Sequence, residues 1–213
     1  MALAIGVMLA GGSAAGYALT RPPGHDFGIV PPATATKDRA LRTSAALHGS
    51  SGSRPRTPAG MAAVDVTAMP TGLRIPAIGV DARIVPVGVA TGGGLGIPAD
   101  PSVVGWWAGG SAPGQPAGST ILVGHIDSAV AGPGALFRLQ DLRPGALVTV
   151  IAGGHTWRYI VRALHSYLKT AFPAAAVFGQ QVTPRLVIVS CGGPFDPATG
   201  HYLDNIVAYA TPA

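Results

Sequence analysis

Short apolar runs separated by turn signals fill the sequence from Leu73 to Ala210, and this pattern constrains the fold most. The runs are rich in Val, Ile, Thr and aromatic residues, which favour strands. Gly and Pro, 31 and 20 of the 213 residues, punctuate them and argue against a helical bundle. Many short strands at this spacing predict a closed or nearly closed β-barrel. The strand-like runs are LRIPAI, ARIVPVGV, SVVGWW, TILVGH, ALVTVIA, HTWRYIVRALHSYL, RLVIVSC and NIVAYA.

Two segments predict short helices within this mostly β domain. They are GALFRLQDLRPG, which ends at Pro-Gly, and PAAAVFG. The glycine cluster TGGGLG superficially resembles a phosphate-binding loop, but it lacks the Gly-Lys-Ser/Thr ending and a following helix. It therefore predicts a turn. The expected fold class is mostly β, a closed barrel with one or two short helices.

The sequence before the barrel divides into two parts. Residues 1–20 carry no charged side chain and are long enough to span a bilayer, until Arg21 ends the run. A retained single-pass anchor and a cleaved signal peptide both fit this segment. Residues 21–71 are rich in Pro, Gly, Ser and Ala without helical or strand period, and predict a disordered linker. Residues 72–213 form the predicted folded domain, which we expect outside the cytoplasm, tethered to the cell membrane.

Charge and composition exclude several classes of protein. The net charge is +5, with the larger basic excess per residue before residue 73, which fits a segment close to an anionic envelope surface. No basic stripe with interleaved aromatic residues is present, so nucleic acid is not an expected partner. One Cys, scattered His and no Glu give no metal-ligand spacing, so we expect no metal and no cofactor.

Cys191 and His125 each follow an apolar run, RLVIVS and TILVG, that is apolar on both faces and predicts a central strand. If these strands are parallel neighbours, the two residues lie at the same rim, roughly 5 to 10 Å apart. A lone cysteine in an exported protein cannot form an internal disulfide, which favours a reactive thiol. A thiol, an imidazole and the bare backbone of Gly192 form a coherent set for acyl transfer. A buried inert thiol and a structural strand-end histidine fit the same positions.

A family resemblance adds to this interpretation. LRIPAIGVDARIVPVGV resembles the opening strands of actinobacterial class F sortases, and STILVGHIDS resembles their histidine motif. GPGALFRLQDLRPG and SYLKTAFP resemble the connections that follow, and VIVSCGGPFDPATGHYLDNIVAYA resembles the cysteine motif with its closing strand. The resemblance runs from Leu73 to Ala210 with the motifs in order.

The resemblance implies a sortase β-barrel and a cysteine transpeptidase that needs no cofactor. Such enzymes cut a Leu-Pro-x-Thr-Gly type signal of an exported protein after Thr and hold the acyl group as a thioester. They then transfer it to an amine of a peptidoglycan precursor or of another protein. Cys191 would be the nucleophile and His125 the general acid and base. Trp106 and Trp107 are candidates to line the substrate groove.

The sequence departs from the family at one position. Sortases use an arginine, usually on the strand after the cysteine, whereas residues 192–213 contain neither Arg nor Lys. Asn205 could donate a neutral hydrogen bond in its place, and His201 could supply a cation when protonated. Arg74 and Arg83, outside the motif, are also candidates, whereas Arg185 is a poor substitute because a straight strand would put it about 20 Å from Cys191.

Three functions are therefore compatible with the sequence. The first is the membrane-anchored transpeptidase. The second, motivated by the absent arginine, is a catalytically weak or silent sortase-like module that binds cell-wall peptides or another exported protein. The third is a thiol hydrolase that forms the same acyl-enzyme and uses water as the acceptor.

Overall fold

The computed structural model describes residues 26–30, 69–90 and 93–213. Eight strands close into a barrel in the order β1-β2-β3-β4-β9-β10-β8-β7, and β5 and β6 form a separate two-stranded sheet. The strands are β1 Pro70–Ile75, β2 Val80–Val87, β3 Val104–Trp107, β4 Ser119–Gly124, β5 Asp127–Ser128, β6 Gly132–Pro133, β7 Leu147–Ala152, β8 His155–Leu168, β9 Arg185–Asp196 and β10 His201–Pro212. The prediction of a mostly β closed barrel is confirmed.

Strands β4 and β9 are parallel neighbours, paired from Ser119 with Arg185 to Gly124 with Ser190. This confirms the expected adjacency of the two doubly apolar runs. Strands β2 and β3 are also parallel, and the remaining barrel pairs are antiparallel. Because β4 and β9 run in the same direction, their carboxyl ends lie at the same rim.

Apolar side chains cover both faces of these two central strands. Leu122 and Ile188 face the barrel interior, where they pack with Leu73, Val104 and Trp106. The opposite face carries a second cluster, formed by Ile121, Val123, Val187, Val189, Val207, Tyr209, Ala163 and Val177. This outer layer explains why the strands read as continuous apolar runs without alternation.

The helical content is smaller than the sequence suggests. PAAAVFG forms α1, Ala174–Phe178, whereas GALFRLQDLRPG forms only a 3₁₀ turn, Leu139–Asp141. Leu136, Leu139 and Leu142 are all buried, and their spacing of three residues matches the 3₁₀ period better than the α-helical one. Two further 3₁₀ turns span Pro76–Ile78 and Lys169–Ala171.

A segment of the predicted linker contacts the barrel through Asp26, Phe27, Gly28 and Val30, so the expectation of a disordered tether is wrong for it. Phe27 exchanges two backbone hydrogen bonds of 3.0 Å with Leu164 of β8. The carboxylate of Asp26 accepts a hydrogen bond from the Ser166 amide at 3.0 Å. The physical reason is that this part of β8 pairs with β10 on one edge only and can accept a short extended segment on the other.

The predicted membrane segment, residues 1–20, and most of the predicted linker lie outside the described residues. Within the ranges that the structure does describe, no helix is long and apolar enough to cross a membrane.

Candidate active site

The carboxyl ends of β4 and β9 place His125 and Cys191 side by side. Gly124 pairs with Ser190, and the Ser190 hydroxyl donates a hydrogen bond of 3.0 Å to the Gly124 carbonyl. His125 and Cys191 are the residues that follow this last pair on the two strands. Paired positions of neighbouring strands lie about 4.8 Å apart. The structure thus brings together the two residues that the sequence predicts as catalytic.

Asn205 extends this pair into a row across the sheet. Cys191 lies directly opposite Asn205 of β10, and Asn205 lies opposite Tyr167 of β8. Directly opposed residues share a face of the sheet, and alternation along β9 and β10 places this face with the outer apolar cluster. The row Tyr167, Asn205, Cys191 and His125 therefore crosses four neighbouring strand positions on the outer surface of the barrel.

The His125 ring is held by its backbone and by one side-chain hydrogen bond. Its Nε2 lies 2.8 Å from the Pro98 carbonyl oxygen. A carbonyl oxygen only accepts, so Nε2 carries the proton, and Nδ1 is the nitrogen with the free lone pair in the neutral ring. The His125 carbonyl accepts from the Leu136 amide at 3.1 Å, which fixes the start of the loop. Nδ1 is thus the nitrogen suited to take the thiol proton.

The surroundings of Cys191 act on its thiol in opposite directions. Burial raises the pKa of the Cys191 thiol above its ordinary value, and the negative charge of Asp127 adds to this rise. The charge and hydrogen bonding of Lys169 lower the pKa. The net pKa shift is upward, so the resting thiol is largely protonated at neutral pH and needs a base to become a nucleophile.

A small apolar cavity of about 20 Å³ lies against the thiol. Its lining residues are Leu95, Ile97, Val123, Gly124, Phe178, Val189, Ser190, Cys191 and Asn205. Asn205 is only 2% exposed, and its Nδ2 has no hydrogen-bond partner among the residues that the structure describes. An unused amide donor therefore lines the same cavity as the candidate nucleophile.

A tyrosine and an aspartate connect the loop after β4 to β10. The Tyr202 hydroxyl donates a hydrogen bond of 2.5 Å to the carboxylate of Asp127. Tyr202 also stacks edge-on with Phe195 at 5.2 Å between ring centroids, and Phe195 is partly exposed. These contacts hold the segment after β4 against β10.

Several other predicted site residues lie outside the cavity. His201 pairs with Asp196 at the far end of the β9–β10 hairpin. Trp106 is buried in the barrel interior, and Trp107 packs edge-on against Phe178 at 5.5 Å between ring centroids. Gly192 is paired with Asp204, and a Cβ placed on it would lie 2.4 Å from an atom of the Ile206 side chain. Close packing is thus one reason for glycine at position 192.

The arginines proposed as substitutes do not reach the thiol. Arg74 is exposed and bonds to Asp81 at 3.4 Å. Arg83 is exposed on β2, which is three positions from β9 in the barrel order. Arg185 lies at the opposite end of β9, where it donates to the Ser119 hydroxyl at 2.8 Å. Arg74 and Arg83 thus lie on strands away from β9, and Arg185 is remote from the thiol, as the sequence predicts.

Sequence reasoning missed Lys169, which acts on Cys191 from the 3₁₀ turn after β8. The available signal was that it is the only lysine after residue 37. The resemblance places the expected cation on the strand after the cysteine, whereas Lys169 lies in the turn after β8, a strand two positions from β9. Among the described part of the chain, no group of three or more His, Cys, Asp or Glu side chains could hold a metal ion.

Comparison with known families decides the wider assignment. The family model described as Sortase domain matches residues 73–213. The chain belongs to the sortase family. Sortases are cysteine transpeptidases that, in general, attach proteins to the cell wall or to pili, and the described barrel is the fold of that family. No match was found among the curated proteins.

Solved sortase structures share this fold at low sequence identity. Sortase C-1 from Actinomyces oris is 19% identical with a TM-score of 0.54, over 75% of this chain and 84% of that one. Sortase E1 from Streptomyces coelicolor, solved with a tripeptide in the active site, is 15% identical with a TM-score of 0.52, over 70% and 90%. A lid mutant of sortase A from Corynebacterium diphtheriae is 16% identical with a TM-score of 0.53, over 68% and 69%.

Proposed function

We propose that this sortase cleaves a Leu-Pro-x-Thr-Gly-like sorting signal through a thioester on Cys191 and transfers the acyl group to an amine. The observation that carries the proposal is the row of Asn205, Cys191 and His125 across neighbouring strand ends. It places a nucleophile and a neutral donor at one cavity, with an acid–base group at the neighbouring strand end. The assignment to class F rests on the sequence motifs and is part of the proposal.

The chemistry gives a role to Asn205, Cys191 and His125. His125 Nδ1 takes the thiol proton, and Sγ of Cys191 attacks the carbonyl carbon of the scissile peptide bond. The C–S bond forms, and the carbonyl electron pair moves to oxygen, where Asn205 Nδ2 donates a hydrogen bond. As the pair returns, the C–N bond breaks, and the leaving amine takes the proton from His125. An acceptor amine then attacks the thioester, gives its proton to His125 and releases the thiolate.

The cavity wall supports an apolar signal peptide. Leu95, Ile97 and Val189 border the thiol, so an apolar side chain of the signal would be buried beside the scissile bond. The leucine and proline of the signal match this environment. The cavity as described holds roughly one water-sized group, so we expect the wall formed by Leu95 and Ile97 to shift when the peptide binds.

The cellular setting follows from the same proposal. The expected partners are an exported protein with a C-terminal sorting signal and an amine of a peptidoglycan precursor or protein. The uncharged residues 1–20 support a single-pass anchor in the cell membrane, with the barrel on its outer side.

The deciding experiment is acyl transfer by the full chain in a mild detergent, with Cys191→Ala as the control. The substrates are a Leu-Pro-x-Thr-Gly peptide library with oligoglycine and lysine amines as acceptors, analysed by mass spectrometry. We expect a thioester adduct and a ligated product that the alanine variant does not form. Cleavage without ligation would instead indicate the thiol hydrolase.

A binding module without catalysis is the second candidate, favoured by the raised pKa of the half-buried Cys191 thiol and by the bond of His125 to Pro98. It predicts that the library peptides bind and that neither adduct nor cleavage is detected with folded protein.

A further inference from the structure

The proposed reaction develops negative charge twice, on the thiolate and on the carbonyl oxygen. A positive charge beside Sγ stabilises both species. The strand after the cysteine offers none, since residues 192–213 contain neither Arg nor Lys. Lys169, in the 3₁₀ turn that follows β8, is half-buried at the same rim of the barrel.

The strand register brings Lys169 close to the nucleophile. Asp204 of β10 pairs with Leu168 on one side and with Gly192 on the other. Lys169 is one residue beyond Leu168, and Cys191 is one residue before Gly192. Because β8 and β9 run in the same direction, Lys169 lies two residues further along the sheet than Cys191. Two strand spacings, about 10 Å, and two residues of rise, about 7 Å, put the two backbones roughly 12 Å apart, a distance that a lysine side chain, a cysteine side chain and one hydrogen bond span together.

The local shape of β10 favours this crossing. The pairing of β10 with β9 shifts register between Tyr202 and Asp204, as at a β-bulge. Bulges re-aim side chains beside active sites and interrupt the pairing of the strand. Leu203, which lies at this shift, is exposed, so its side chain is not packed into the site.

The charged groups around the thiol can be assigned element by element. The segment after β4 contributes His125 and Asp127, and the Asp127 carboxylate opposes the thiolate. From β10, Asn205 is neutral, and the carboxylate of Asp204 accepts a hydrogen bond of 2.8 Å from the Ser166 hydroxyl. The turn after β8 contributes Lys169, whose charge favours the thiolate. Tyr202 and Tyr167 are the neighbouring phenols, and Tyr202 donates to Asp127.

We propose that Lys169 is a catalytic residue, the cation that pairs with the Cys191 thiolate and then with the oxyanion. Lys169 supplies, from the turn after β8, the positive charge that β10 lacks. Stabilisation of the oxyanion by Lys169 rests on the proposed transpeptidation. Its pairing with the Cys191 thiolate does not. The two parts can therefore be tested separately.

The first test measures the thiol without any peptide. The rate of Cys191 alkylation by iodoacetamide is followed from pH 6 to pH 10 in the full chain, in Lys169→Met and in Lys169→Arg. A nearby opposite charge lowers a thiol pKa by about one to three units, and the half-exposed lysine belongs at the lower end. We expect Lys169→Met to alkylate about tenfold more slowly at pH 7 with its profile shifted to higher pH, and Lys169→Arg to retain most of the rate.

Arg162→Met is the matched control, because Arg162 is an exposed cation on β8, the strand that leads into the turn of Lys169. It lies seven residues before Lys169, about 23 Å along the chain. Its removal changes the net charge equally and should leave the alkylation profile unchanged. Thermal melts of all variants exclude an effect of unfolding.

The second test measures kcat/KM for acyl transfer with the peptide that gives the best turnover. We expect a loss of tenfold or more in Lys169→Met, larger than the loss of alkylation rate if the cation also holds the oxyanion, and substantial recovery in Lys169→Arg. If Lys169→Met and Arg162→Met share the profile of the unmodified protein, the proposal for Lys169 is overturned, even where acyl transfer is found. A profile that depends on Lys169, with no transfer to any amine, would support the ion pair and count against the transpeptidase.

Discussion

Asn205 is a buried amide whose side-chain nitrogen has no hydrogen-bond partner among the described residues. Burying an unpartnered donor destabilises a fold by about 1 to 3 kcal/mol, so its presence beside a nucleophile indicates a function. We predict that Asn205→Ala lowers kcat for acyl transfer by about 100-fold, the usual cost of removing one oxyanion donor. The free energy of unfolding should change by no more than about 1 kcal/mol, because the lost packing and the removed desolvation penalty offset each other.

Urea titration and transfer kinetics on the same preparation of Asn205→Ala check this prediction. Full activity would exclude Asn205 from the reaction. A loss of stability above about 3 kcal/mol would indicate that the amide has a structural role instead.

The raised pKa of Cys191 has a consequence for stability at high pH. Above the ordinary thiol pKa of about 8.5, an unfolded chain has released the proton that the folded state still holds. The folded state then binds more protons, so the free energy of unfolding falls as pH rises through this window. We predict that Cys191→Ala loses less stability than the unmodified protein between pH 7.5 and pH 10, by urea titration. Equal losses would show that burial does not hold the thiol protonated.

The histidine loop positions the acid–base group through its backbone. A Cβ on Gly134 would lie 2.5 Å from the His125 carbonyl oxygen and 3.0 Å from its Cβ. The loop backbone must move to remove this overlap, because the His125 carbonyl oxygen and Cβ cannot turn away as the end of a flexible side chain could. We predict that Gly134→Ala lowers kcat/KM by about 100-fold, the expected effect of a catalytic group displaced by about 1 Å.

Gly88→Ala is the matched control for Gly134→Ala, because a Cβ on Gly88 meets no atom within 4 Å. Its kinetics should equal those of the unmodified protein. Iodoacetamide should alkylate Cys191 normally in both variants below the thiol pKa, which would locate the defect of Gly134→Ala in the histidine and not in the nucleophile. Unchanged kinetics in Gly134→Ala would show that the loop yields without moving His125.

The same elements show why part of the site was predictable. RLVIVS and TILVG are apolar on both faces, which identified β9 and β4 as central strands and placed Cys191 and His125 at one rim. Lys169 was not predictable, because its approach to Cys191 depends on β8 lying beside β10, a long-range pairing that no local pattern encodes. The remote arginines were false candidates for a related reason, since the barrel order separates β1 and β2 from β9.

At the scale of the whole molecule, the barrel extends its pairing to a segment that precedes it by about 40 residues in the chain. The composition around this segment, rich in Pro and Gly, predicts disorder. The prediction fails here because composition does not reveal that β8 has an open edge. Phe27 packs against the barrel core, and Gly28 approaches β8 so closely that a Cβ would lie 2.1 Å from the Arg162 carbonyl oxygen. The segment 26–30 therefore binds β8 through its backbone and through the side chains of Asp26 and Phe27.

This docking predicts that the segment stabilises the folded domain. Phe27→Ala should lower the free energy of unfolding by about 1 to 2 kcal/mol, part of the cost of truncating a fully buried phenylalanine, because Phe27 is only half-buried. The melting temperature should fall by roughly 3 to 8 °C for a domain of this size. Ile29→Ala is the control on the same segment, since Ile29 is 88% exposed and its truncation should leave the melting temperature unchanged. Calorimetry of both variants checks this prediction. If Phe27→Ala, Ile29→Ala and the unmodified protein all have the same melting temperature, the segment does not stabilise the barrel, and the expectation of a disordered linker holds for residues 26–30 as well.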